Sequence, residues 1–195
     1  MGKQIVVLSM ILIVCLYGCA SGNKVNINQI SSEYPIVLKK GRDSDKVSAV
    51  KIPLAFEISK ESLKKVQLAN EGYWYNNKYF RRNSWGAGIT TFHVENNTLK
   101  ANIYLQDIKF RKKVFVAYTS HRPQYAEGDE LSDFFEPYLK KMRRENKDSL
   151  HIESVDILKA KSPGIIENLL CGDSILFRVY CGQELITYTY PIQVK

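Results

Sequence analysis

Tyr73-Trp74-Tyr75-Asn76-Asn77-Lys78-Tyr79-Phe80 is the stretch from which the fold is read. Aromatic side chains favour a half-buried strand, and asparagine tolerates the positive φ that a tight two-residue turn demands. Asn76-Asn77 is therefore expected to fold the stretch back on itself. The resulting register pairs Tyr75 with Lys78, Trp74 with Tyr79, and Tyr73 with Phe80. Cross-strand partners share a face. Trp74 and Tyr79 thus lie on one side, and Tyr73, Tyr75 and Phe80 on the other.

Further strands extend from this hairpin in both directions. Residues 34–39 and 47–58 read as strands joined by the turn at 41–45, and Pro53 marks an edge or a bulge. Residues 59–70 read as a short turn followed by a strand. Beyond the hairpin, 89–94 and 98–105 flank a turn at Glu95-Asn96-Asn97, and 110–119 follows with Val114 and Val116 on one face. Residues 150–158, 174–181 and 185–194 complete the set, the last two joined at Gly182-Gln183. Residues 159–173 are expected to form a loop with a helical turn at 165–170. Tyr outnumbers Phe by 12 to 8, which also suits strands.

The pattern changes once. Leu131, Phe134, Phe135, Tyr138, Leu139 and Met142 recur at the spacing of one helix face. This predicts an amphipathic helix over about 130–146. Pro137 is best tolerated near a first turn, so the ordered part is expected to begin near Ser132 or Asp133. Many short strands with polar turns and one helix predict a mainly β chain: an antiparallel β-sandwich, Ig-like or transthyretin-like, with one inserted amphipathic helix.

The N-terminus carries a different message. Lys3 precedes an apolar run over residues 5–16, which ends in Leu16-Tyr17-Gly18-Cys19. A basic start, a short apolar stretch and small residues at the cut are the features of a secretory signal. The run is too short to span a hydrocarbon core of about 30 Å as a helix. Cys19 directly after Gly18 resembles the lipobox of bacterial lipoproteins, which signal peptidase II cuts. The resemblance covers about the first twenty residues. It implies cleavage between Gly18 and Cys19 and lipidation of Cys19. Ala20 follows the cysteine where an inner-membrane retention signal would resemble Asp, which implies the outer membrane and leaves a periplasmic or a surface-facing orientation open. The expected division is a signal over 1–18, a lipid-anchored tether over 19–32 and a single β-rich domain over 33–195.

Charge and cysteines narrow the classes of function. The formal net charge is +8, and removal of Lys3 with the signal leaves +7. Such a charge suits acidic glycans, lipid headgroups or an acidic protein partner, and no nucleic acid is expected for an exported chain. Cys15 leaves with the signal, and Cys171 and Cys181 remain. An extended segment between them holds their Cα atoms beyond the ~7 Å that a disulfide spans, so none is expected, and Cys181 is expected as a core thiol. No Cys/His spacing suggests a metal or other cofactor.

Candidate sites are few. Trp74, Tyr79 and Trp85 are the best ligand-binding candidates, since exposed rings stack on sugars or anchor partners; burial under a second layer is the competing reading. The basic run Lys140, Lys141, Arg143, Arg144, Lys147 follows Asp129, Glu130, Asp133 and Glu136, an order that the helix dipole alone favours. Arg81-Arg82 and Arg111-Lys112-Lys113 read as solvated strand faces. His93, His121 and His151 stand isolated, and no nucleophile elbow, zincin motif or phosphate loop occurs. Asp148-Ser149-Leu150 and Asp173-Ser174-Ile175 resemble the Asp-Ser/Thr-apolar O-glycosylation signal of Bacteroidetes envelope proteins, and also suit turns entering strands. The expected function is non-enzymatic: an envelope lipoprotein serving as a protein-binding scaffold or accessory subunit at the outer membrane. Glycan binding through the aromatic patch is the alternative, and a hydrolase whose residues meet only in the fold comes last.

Overall fold

The computed structural model describes residues 25–42, 45–76, 78–79, 89–101, 105–123 and 130–194. Among them the chain forms two antiparallel sheets and three helices, a mainly β, sandwich-like fold. The spine of the larger sheet is β3 (Val47–Lys60). One edge of β3 pairs along its length with β9 (Lys113–His121). Its other edge is shared end to end by β2 (Pro35–Lys40), opposite Val47 to Lys51, and β1 (Val25–Ile30), opposite Ala55 to Lys60. β10 (Ser149–Ser154) continues the sheet beside β2. β6 (Thr90–Glu95) and β7 (Thr98–Ala101) continue it beyond β9.

Pro53 sits where the β2 and β1 pairings leave a gap on that edge of β3. A residue with no N–H loses nothing there. The expected edge signal is thus local, within an otherwise central strand.

The smaller sheet runs β12 (Glu184–Pro191), β11 (Ser174–Cys181), β4 (Val66–Tyr75). The far edge of β4 is again shared end to end, by β8 (Gln106–Ile108) opposite Val66 to Leu68 and by β5 (Lys78–Tyr79) opposite Trp74 and Tyr75. Trp74 pairs with Tyr79 and Tyr75 with Lys78, the register expected from the sequence, and Asn76 has φ 44°. Asn96 and Asn97, at 49° and 58°, make the second hairpin turn in the same way.

Inward side chains of both sheets form one core. Phe56 of β3 and Phe177 of β11 meet edge to face across it, 5.2 Å between centroids. Cys181 is buried beside Ile175, Phe177 and Val179. It is a free thiol, as is the exposed Cys171.

Three features depart from the sequence reading. Val25–Ile30, inside the stretch expected to be a tether, is β1: Val25 and Ile27 point into the core and Asn26 and Asn28 to solvent. The helix α1 (Glu130–Arg144) begins two or three residues before the start expected near Ser132 or Asp133, which places Pro137 in its interior rather than near its first turn. Pro137 is exposed, so water can reach the carbonyl that its missing N–H leaves without a helical partner. Phe135, Leu139 and Met142 carry the buried face of α1, as its spacing predicts.

The third departure is that the expected strand 150–158 stops at Ser154 and that helix fills most of 159–173, where a loop was expected around the helical turn at 165–170 that the structure does contain. α2 (Val155–Lys161) and α3 (Pro163–Leu170) add to the one helix expected. Pro163 opens α3, where its lack of an N–H is harmless. Leu158, Ile166 and Leu170 bury the apolar side of the pair. No helix among the described residues is long and apolar enough to cross a membrane.

Candidate functional site: a sealed polar cluster beneath the aromatic hairpin

The inner face of β4 presents Tyr73 and Tyr75 to the core, so the hairpin rests on that face. Tyr73 is buried and Tyr75 half-buried. Trp74 lies on the opposite face of β4 and is half-buried. The side chain of Tyr79, and Trp85, Gly18 and Cys19 entirely, lie outside the described residues.

Beneath the hairpin sits a cluster that the sequence did not announce. Asp173 ends the turn between α3 and β11. Its backbone N–H donates to the Leu170 carbonyl at 3.1 Å, and its carbonyl accepts from the Ile192 N–H at 2.9 Å. Thus fixed, its carboxylate accepts the Tyr73 hydroxyl proton at 2.9 Å on one oxygen and the Asn76 backbone N–H at 2.7 Å on the other. His121, at the end of β9, holds Nδ1 3.7 Å from the same carboxylate. Its Nε2 lies 2.8 Å from the Thr119 hydroxyl, which also donates to the Ile52 carbonyl at 3.2 Å. The Tyr75 ring packs on both Tyr73 and His121, and its hydroxyl accepts the Ser120 N–H at 3.3 Å. Gly172, with φ 74°, lets the turn come this close: a Cβ there would stand 2.9 Å from the Asn76 side-chain oxygen.

Electrostatics follow from burial. Tyr73, Thr119, His121 and Asp173 are each at most 4% exposed. Burial pushes the His121 imidazole down to about 4, against a smaller upward pull from the Leu169 carbonyl, so the ring is neutral at pH 7. Burial also raises the Asp173 carboxyl, which the Asn76 and Tyr73 hydrogen bonds partly restrain. Desolvation and the adjacent Asp173 push the Tyr73 phenol far up, and burial takes Tyr75 to about 12. An acid, an imidazole and a hydroxyl are the ingredients of proton-transfer chemistry. Here they are buried side by side, and they join β4, β9 and the α3–β11 turn.

A pH dependence follows. The folded pKa of His121 lies below its ordinary 6.5, so the unfolded chain binds the extra proton first. The stability that this neutral imidazole contributes is present above about 6.5 and is lost as pH falls toward about 4, by about 3 kcal/mol. Asp173 acts in the opposite sense: its raised carboxyl gains protons in the folded state first, which offsets part of the loss at the acid end of that window. Urea midpoints measured from pH 7 to 4.5 are expected to fall for the native chain and to flatten for His121→Gln. A native midpoint that does not move would refute a neutral buried imidazole.

The other sequence candidates are dispersed. The cations of the basic run are largely matched: Arg143 pairs with Glu136 at 2.8 Å and Asp45 at 3.5 Å, Lys140 with Glu136, and Lys147, just past α1, with Glu145. Of the two Asp-Ser-apolar motifs, Asp148-Ser149 is exposed at the start of β10, whereas Asp173 belongs to the sealed cluster and Ser174 is half-buried. His121 is not isolated, since it faces Asp173. The Tyr73–Asp173 pair spans 100 residues, and no local spacing signals such a contact.

A separate cleft of about 260 Å³ opens beside the gap at Pro53, between β1, the α2–α3 pair and the C-terminal segment. Ser32, Asp156, Lys159 and Gln193 mix with Ile166 and Leu170 in its wall. Gln29 and Gln193 hold each other there through two hydrogen bonds of 2.9 Å. Among the described residues no group of three or more His, Cys, Asp or Glu is placed to hold a metal ion. No model of a known protein family, no curated protein and no solved structure matches the chain.

Proposed function

We propose that this chain is a lipid-anchored envelope protein that acts as a binding scaffold or accessory subunit for a partner protein at the outer membrane. The observation that carries the reading is the apolar run ending in Leu16-Tyr17-Gly18-Cys19, six residues before the first strand at Val25. An acylated Cys19 would hold the β domain directly at a bilayer surface. The sealing of the acid, imidazole and hydroxyl groups supports a role in binding rather than in turnover. Glycan binding is the second reading. It stands behind the first because Trp74, the centre of its proposed patch, is half-buried rather than open to a sugar ring.

Growing cells with an alkyne-tagged fatty acid tests the anchor. The native chain is expected to take up the label and to sediment with outer membranes, and Cys19→Ala to lose both properties. Crosslinking in intact envelopes tests the scaffold role: the chain is expected in one discrete larger species. A label that survives Cys19→Ala, or recovery solely as the single chain after crosslinking, would overturn the corresponding half of the proposal.

A further inference from the structure

Four connections meet at one end of the sandwich. Val25, where β1 begins, pairs with Lys60 at the end of β3. The Lys60 N–H bonds to the Lys109 carbonyl at 2.8 Å, which brings the β8–β9 turn alongside. Val66 pairs with both Ile108 and Cys181, and the Gly182 N–H bonds to the Lys65 carbonyl at 3.0 Å, which adds the β3–β4 and β11–β12 turns. This tether end is where the chain arriving from Cys19 joins the fold.

The same end holds most of the misplaced apolar surface. The large apolar or aromatic side chains exposed among the described residues are Leu63, Leu105, Phe110, Ile157, Tyr180 and Leu185. Leu63 and Phe110 stand on its turns, Tyr180 and Leu185 face each other on the strands just behind the β11–β12 turn, and Leu105 directly precedes β8. Leu63 is 92% exposed at the tip of the β3–β4 turn, and Phe110 57% exposed in the β8–β9 turn. Basic residues surround them: Lys60, Lys64 and Lys65 on one turn, Lys109, Arg111 and Lys112 on the other. The Lys60 ammonium lies 4.6 Å above the Phe110 ring and also donates to the Lys64 carbonyl, tying the two turns together. Acids are present too: Asp107 lies 3.9 Å from Lys65, Glu57 pairs with Lys112, and Glu61 adjoins Lys60.

We propose that the tether end is a membrane-docking surface, on which Leu63 and Phe110 seat in the headgroup layer of an anionic phospholipid bilayer and the surrounding lysines and arginine meet lipid phosphates. Apolar tips within a cationic rim fit an interface with fatty chains below and negative charge above. Lysine stems can lie along apolar surface while their ammonium groups reach the phosphates. Chain length supplies the second argument. Six residues, fully extended, reach at most about 20 Å, so a lipidated Cys19 keeps this end, and not the far one, within reach of the bilayer. The inference rests on the anchor reading and adds an orientation to it: the C-terminal end of α1 and the β2–β3 turn face away from the membrane, open to a partner.

The test uses the full lipidated chain, reconstituted into phosphatidylcholine vesicles with or without phosphatidylglycerol and with brominated acyl chains as quencher. Leu63→Trp reports on the tether end, and Lys147→Trp, beyond α1, on the far end; the emission of the unchanged chain is subtracted from each. Emission added by Leu63→Trp is expected to fall at least about twofold in the anionic brominated bilayer, with that added by Lys147→Trp unchanged. Quenching at Leu63→Trp is expected to weaken without phosphatidylglycerol. The mass of the peptide bearing Cys19 and flotation with the vesicles read the anchor separately. An acylated, floating chain with no quenching at Leu63→Trp, or with equal quenching at both ends, overturns the docking surface and leaves the anchor standing. A chain without acyl groups that does not float overturns both.

Discussion

Phe177→Ala is expected to lower the unfolding free energy by about 3–5 kcal/mol, which urea denaturation would read as a lower midpoint at unchanged slope. Phe177 is 1% exposed on β11, and its ring meets Phe56 of β3 edge to face and lies 6.2 Å from Tyr190 of β12. It is thus one of the contacts through which the two sheets hold each other. Truncation removes the transfer free energy of the ring and leaves a void that two hydrogen-bonded sheets can close only in part. Domains are stable by about 5–15 kcal/mol, so this single change removes a large share. Phe177→Leu refills most of the space and is expected to cost less than about 1.5 kcal/mol. Phe110→Ala, at an exposed ring, is expected to stay within about 0.5 kcal/mol in solution. Equal losses at Phe177 and Phe110 would contradict a core built between the sheets.

What was legible in the sequence was the part governed by local rules. Asn76 and Asn96-Asn97 adopt positive φ as their residue type allows, and in the first hairpin Asn76 sets which partners of β4 and β5 face each other. The burial of Phe135, Leu139 and Met142 follows from helical spacing. Elsewhere local rules pointed the wrong way or were silent. Val25-Asn26-Ile27-Asn28 alternates as a strand should, but its asparagines resemble those of a polar tether, and only pairing with β3 decides the matter. α2 and α3 are too short to display a convincing period, and Pro163-Gly164 reads as a loop unless the proline is known to stand at a helix start. β8, at three residues, has its identity only from β4. The sealed cluster is the extreme case: Tyr73, His121 and Asp173 come from three separate elements, and their meeting depends on how the sheets stack.

Asp173→Ala is expected to be as damaging as the loss of Phe177, by about 3–5 kcal/mol, for a different reason. The carboxylate satisfies the buried Tyr73 hydroxyl and the Asn76 backbone N–H at once. Alanine leaves the buried Tyr73 hydroxyl without its acceptor and frees the part-buried Asn76 N–H at the hairpin tip, and a buried group stripped of a charged partner costs more than the pair contributed. Local order should fail where the turn was pinned, so the Asn76 amide is expected to exchange with solvent far faster, while amides in the middle of β3 and β9 keep their relative protection. Asp173→Asn separates hydrogen bonding from charge. Its oxygen can retain the Asn76 N–H while its amide donates to the Tyr73 hydroxyl, which turns to accept, and about 1–2 kcal/mol is expected. Tyr73→Phe removes the other side of the same bond, so the two changes together should cost less than their sum. Strict additivity, or an Asn76 amide that stays protected in Asp173→Ala, would mean that the hairpin is held by the packing of Tyr73 and Tyr75 alone and that the carboxylate is dispensable to it.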